Sequence, residues 1–232
     1  MEREAPSIFK RLTTRFSLPL MLILALLLGQ APVLSNFLSW QMTFFHEISH
    51  GLVTLLTGGR ILGIELHFAG SGLCQVSGGV RWLAALAGYL GATVWGVLIY
   101  LLAGIISKKY SHLLAAFLVV GLIGSAILYV RDFQSGIIIL FIAIWYSAAV
   151  KFRDQLPLHF LLKLSGLYII LDALKAPLVL FGYPGPNDAA TLAALTGLPA
   201  FVWIVLWLAA ALGGLILIWK IERAQKQTRP SP

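Results

Sequence analysis

Apolar runs long enough to cross a lipid bilayer recur from one end of this chain to the other, and they constrain its fold more than any other feature. A helix needs roughly 20 residues to cross about 30 Å of hydrocarbon. Seven segments meet or approach that length, at 16–34, 38–57, 82–106, 111–130, 134–150, 157–181 and 199–219. Hydrophobic residues make up 59% of the chain and charged residues 11%, less than half the charged share of about 25% usual in soluble domains. The sequence predicts an all-α polytopic membrane protein with six to seven transmembrane helices. The lipid bilayer is then its solvent and first partner.

The formal charge of +8 does not require a nucleic-acid partner. Arg3, Lys10, Arg11 and Arg15 precede the first run, and Lys220, Arg223, Lys226 and Arg229 follow the last. Basic residues so placed fix membrane orientation. The tails at 1–15 and 220–232 are therefore read as basic flanks of one integral-membrane domain spanning 1–232. Two basic tails favour an even number of crossings, whereas seven helices give an odd one. The run at 16–34 is expected to be a retained first helix and not a cleaved signal, because Gln30-Ala31-Pro32 is a poor cleavage site. Lone Cys74 excludes an internal disulfide and a thiolate metal cluster.

Two stretches break the helical pattern. Residues 58–80, "GGRILGIELHFAGSGLCQVSGGV", read as a Gly-bracketed β-hairpin, with strands at 61–68 and 73–76. At membrane depth such backbone is tolerated only where protein or a water-filled cavity satisfies its polar groups. Residues 182–199 read as a loop in which Asp188 caps a short helix through Leu195.

The second apolar run contains "TFFHEISHGLV". His46 and His50 lie four residues apart, on one helix face and one turn apart, so both imidazoles can converge on one ion. Glu47 projects beside them, where a carboxylate can take a proton from a zinc-activated water. This is the His-Glu-x-x-His pattern of zinc hydrolases. Ionisable residues at membrane depth are costly, about 2.5–3.5 kcal/mol each on insertion scales, which favours a functional over a packing role.

A third ligand is needed to complete a catalytic zinc site. Val53 and Leu56 stand where a Gly and a third His would extend the motif, and the later glutamates are Glu65, in the hairpin, and Glu222, in the basic tail. Asp172 lies deep in the apolar "SGLYIILDALKAPLVLF", about as far into its helix as His50 is into its own. It is the leading candidate, with Asp132 and then Asp188 as alternatives and a structural pair with Lys175 or Lys163 as the competing role. Asp132 and Asp154 adjoin arginines and suit solvated ion pairs. His67, His112 and His159 read as interfacial or partner-satisfying residues, and Trp40, Trp82 and Trp219 as an aromatic belt.

"FHEISHG", the Gly-bounded hairpin, "AGYLGATVWG", "LDALKAP" and "NDAATLAALTGLPAFVW" together resemble the site-2 protease family of intramembrane zinc metallopeptidases, in its compact branch without a PDZ domain. The resemblance covers most of residues 40–210. It implies hydrolysis of a peptide bond inside a substrate's transmembrane segment, with one Zn2+ per chain held by His46, His50 and Asp172 and with Glu47 as general base. Ala173 stands where the family's Leu-Asp-Gly has Gly, no Asn-Pro precedes it, and the usual Gly-Pro reads Gly88-Tyr89. Two other readings compete: a metal-binding scaffold or transporter without hydrolysis, and an interfacial zinc protease. Short connections suit a bacterial inner membrane. The sequence is silent on oligomeric state.

Overall fold

The computed structural model describes residues 17–105, 111–151 and 158–227. Among them, eight α-helices and one two-stranded sheet follow in the order α1 (Ser17–Leu28), α2 (Pro32–Leu56), β1 (Arg60–Leu66), β2 (Gly72–Ser77), α3 (Arg81–Ile105), α4 (Ser111–Tyr129), α5 (Phe133–Lys151), α6 (Leu158–Lys175), α7 (Asp188–Thr196) and α8 (Ala200–Gln227). A 3₁₀ turn at Ala176–Leu180 extends α6. Three helices are long and apolar enough to cross a membrane by length and composition, at Arg81–Gly104, Ser111–Tyr129 and Ala200–Gln225.

The first apolar run does not form one helix. It breaks after Leu28, and the chain turns before Pro32 opens α2. Proline disfavours helical backbone in the residue before it, and Ala31 is accordingly extended, with φ −85° and ψ 113°. Pro32 itself suits a first helical turn, where its missing N–H is not needed. Similarly, Pro177 removes the donor that would continue α6, and the helix tightens into the 3₁₀ turn.

Helix α2 is the centre of the molecule. From Gln41 to Gly51 every residue is buried, including Gln41, Thr43, His46, Glu47, Ser49 and His50. Helix α3 packs along one side of it and the hairpin along another. Tyr146 of α5 donates to Gln41 Oε1 at 2.7 Å, which ties a buried amide to a neighbouring helix. Small residues let the backbones of α3 and α6 approach closely. A Cβ on Gly96 would lie 2.7 Å from the Gly166 carbonyl, and one on Gly166 would lie 2.6 Å from that of Gly96.

The hairpin is antiparallel, pairing Leu66 with Gly72 and Arg60 with Ser77, and a bulge between Ile61 and Gly63 leaves Leu62 unpaired. Gly58 follows α2 in left-handed backbone at φ 85°, which a residue with a Cβ adopts only with strain. The outer side of β1 is covered: the Leu66 N–H donates to Ser135 Oγ of α5 at 2.7 Å. No further strand pairs with β2 among the described residues. At the turn, Trp40 Nε1 donates to the Phe68 carbonyl at 3.0 Å, so this indole pins the hairpin to α2.

The region 220–227 is not merely a tail, because α8 continues through it and buries Glu222. Tyr100 and Lys163 both donate to Glu222 Oε1 at 2.7 Å. That buried pair joins α3, α6 and α8. Substituting Gly96→Val is expected to lower stability by about 1–3 kcal/mol, the usual range for overpacking, read as a reduced melting temperature in detergent.

Candidate metal centre

The side chains that meet at the centre come from α2 and α7. His46 and His50, one turn apart, meet edge to face with ring centroids 4.6 Å apart, and their Nε2 atoms approach to 2.9 Å. Asp188, the first residue of α7, brings Oδ2 to 3.1 Å from His46 Nε2 and 3.3 Å from His50 Nε2. These three residues form a group able to hold a metal ion.

The donor set fits a divalent cation. Donor–zinc lengths of 2.0–2.1 Å in a tetrahedral site put neighbouring ligand atoms about 3.3 Å apart, close to the separations above. Protonation points the same way. His50 Nδ1 lies 2.7 Å from the Ala84 carbonyl, a bond that requires the proton on Nδ1 and, in the neutral ring, leaves a lone pair on Nε2. That lone pair faces a carboxylate oxygen and a second imidazole nitrogen. Three acceptors converging on one point repel unless a cation or a proton lies between them.

Helix α3 makes room for the group at one residue. A Cβ on Gly88 would lie 2.6 Å from both His46 Nε2 and His50 Nε2, inside the space the ligand atoms share. Gly72 does the same for the carboxylate: a Cβ there would lie 2.8 Å from Glu47 Oε1. Glu47 is buried, at 5% exposure, and accepts a hydrogen bond from the Cys74 N–H of β2. Glu47, both histidines and Asp188 line one cavity of about 710 Å³, bounded by β2, the start of α3 and residues 176–191.

Asp188 reaches the histidines because it is not the cap of its helix. Asn187 takes that role, its Oδ1 accepting from the Ala190 N–H at 3.0 Å, and Gly197 closes the other end at φ 77°. The Asp188 carboxyl is thereby left to point at the imidazoles. Burial opposes its ionisation, but His50 and His46 together hold it below the usual carboxylate range.

The other candidates lie elsewhere. Asp172, which the sequence ranks first, is not in this group; it lies 3.8 Å from Lys175 Nζ and within hydrogen-bond reach of Ser39. Ser39 is about two helical turns before His46. Helix α2 starts at Pro32 and not at residue 38, so equal counts from the expected helix starts do not place Asp172 and His50 at one level. Asp132 caps α5, accepting from the Ser135 N–H at 2.8 Å. Although burial opposes this, hydrogen bonds from Ser135 hold its carboxyl below the ordinary value. Its neighbour Arg131 donates to the carbonyls of Leu128 and Val130, in place of the expected ion pair. Asp154 lies outside the described residues.

His67 is exposed at the hairpin turn and does not line the cavity. Burial, and then the charge of Glu47, push the Cys74 thiol up to about 12, so it stays neutral near pH 7. Sequence reasoning did not find Ala84, Gly72 or the role of Gly88; the last was visible only as the Gly of Gly88-Tyr89. The only sequence signal for Asp188 was the Asn-Asp pair at a helix start, where either residue could cap.

A family model described as Peptidase M50B-like matches residues 19–218. No curated protein and no solved structure matches the chain. Gly88→Ala is expected to reduce metal affinity more than tenfold while helical content is kept, as read by metal stoichiometry and circular dichroism on the purified protein.

Proposed function

The chain belongs to the Peptidase M50B-like family, that of the site-2 proteases, and from that premise we propose that it is a zinc-dependent intramembrane protease cutting transmembrane segments of other proteins. The family makes it a membrane metallopeptidase. The observation that carries the finer reading is the convergence of His46, His50 and Asp188 beside Glu47 in one cavity.

In this reading His46, His50 and Asp188 hold one Zn2+, which supplies Lewis-acid polarisation and acidifies a water molecule. Glu47 takes a proton from the attacking water and passes it to the leaving amide nitrogen as the C–N bond breaks. The Cys74 N–H orients the Glu47 carboxylate for both transfers. Ala84, through its carbonyl, keeps the His50 proton on Nδ1. The polar face of α2 and the mouth of the cavity admit water to the reacting carbon.

A helical substrate has its carbonyls hydrogen-bonded and shielded, so it must open before attack. The edge of β2 that faces the cavity suits an opened strand at Val76, whose backbone shares the side of Cys74 by strand alternation, the Cys74 N–H itself being taken by Glu47. The single unit 1–232 sits in a bilayer, that of a bacterial inner membrane, with a transmembrane polypeptide as substrate and no nucleic acid as partner. Seven helices, α1 to α6 and α8, make up its membrane part. The intact Glu47 favours hydrolysis over a scaffold or transporter that binds metal alone.

Metal analysis and proteolysis on the same preparations test the reading. Asp188→Ala is expected to lose stoichiometric zinc, and Asp172→Ala to keep it. Glu47→Gln is expected to keep zinc and lose cleavage of a transmembrane substrate by at least 10³-fold; zinc-bound Glu47→Gln that still cleaves would refute the assignment of the base. Val76→Pro, which removes one N–H from the β2 edge, is expected to lower turnover about tenfold with zinc retained.

A further inference from the structure

Arg81 is the first residue of α3 and lines the same cavity as the catalytic group. Among the described lining residues it is the only Lys or Arg. No carboxylate lies within ion-pair distance of it, and no hydrogen bond from its side chain occurs, among the described residues. Arg81 is exposed, and its five donors are unpaired among the described residues.

Its position follows from helix periodicity. Arg81, Ala84, Ala85 and Gly88 recur at i, i+3, i+4 and i+7, so they share one face of α3. On that face Ala84 and Gly88 already touch the histidines, through the carbonyl bond to His50 and the close approach to both rings. Exposed Trp82 lies on the adjacent face.

We propose that Arg81 is a specificity-determining residue that binds a carboxylate of the substrate polypeptide about three residues from the bond to be cut. This rests on the protease reading above. Seven residues of helix from Arg81 to Gly88 span about 10.5 Å, and an extended chain covers that distance in about three residues at roughly 3.3 Å each. The guanidinium fork matches a carboxylate in shape and charge. A peptide carboxylate is favoured over a lipid phosphate because Arg81 lines the cavity that also holds Glu47.

The test uses full-length protein in nanodiscs and synthetic Leu/Ala transmembrane peptides in which one Asp, or Asn as control, is moved along both sides of the cleavage site mapped by mass spectrometry. In wild type, one register of Asp is expected to raise kcat/KM about tenfold over Asn, through KM and not kcat. Arg81→Gln is expected to abolish that preference, and Arg81→Glu to transfer it to Lys at the same position. A second readout is peptide affinity of EDTA-treated Glu47→Gln protein, which is expected to show the same tenfold, Arg81-dependent preference without turnover.

An Asp preference that is absent, or that survives in Arg81→Glu, overturns the proposal. So does a preference that follows the phosphatidylglycerol content of the nanodisc and not the peptide charge. If the Arg81-dependent binding is found but wild type cleaves no peptide, the protease reading fails while the carboxylate site stands.

Discussion

Three lone-pair donors facing one point make up the constraint on which the rest of this structure depends. His46, His50 and Asp188 crowd their ligand atoms within about 3.3 Å of one another. A set of acceptors cannot persist so close in a low-dielectric interior without a cation or a shared proton among them. The surrounding fold is arranged to bring this group together. Helix α2 carries both imidazoles, α3 comes close enough to fix one of them through Ala84 and gives way at Gly88, and α7 projects the carboxylate.

Close approach is achieved by removing side chains. Gly88 and Gly72 leave room for the two imidazoles and for Glu47, and Gly96 and Gly166 bring α3 against α6. In a bilayer, where lipid tails are as apolar as the helices, such packing is a main source of helix association. Polar contacts between elements supplement it: Gln41 with Tyr146, Leu66 with Ser135, and Glu222 with Lys163 and Tyr100. Each satisfies a group that would be expensive to leave unpaired.

Much of this was legible from residue order because the relevant signals are local. Helical spacing placed His46, Glu47 and His50 on adjacent faces, and glycine pairs bracketed a hairpin that the structure contains. Local chemistry also misled. Proline at 32 splits the first apolar run, an effect that hydrophobicity alone does not register. Asn187 and Asp188 compete for one cap, and the outcome decides which carboxylate is free. Asp172 looked conspicuous because it is isolated in an apolar run, yet its neighbours are Ser39 and Lys175.

By itself the sequence determined the membrane class, the helical nature of most segments, the hairpin and the paired imidazoles with their glutamate. All of these arise from interactions between residues a few positions apart, or from burial summed along a segment. Only the tertiary structure decided which carboxylate joins the histidines, which backbone carbonyl orients His50, and where α3 must lack a side chain. Those contacts link residues 34 to 142 positions apart, and their geometry is set by helix crossings and helix starts that no local pattern encodes.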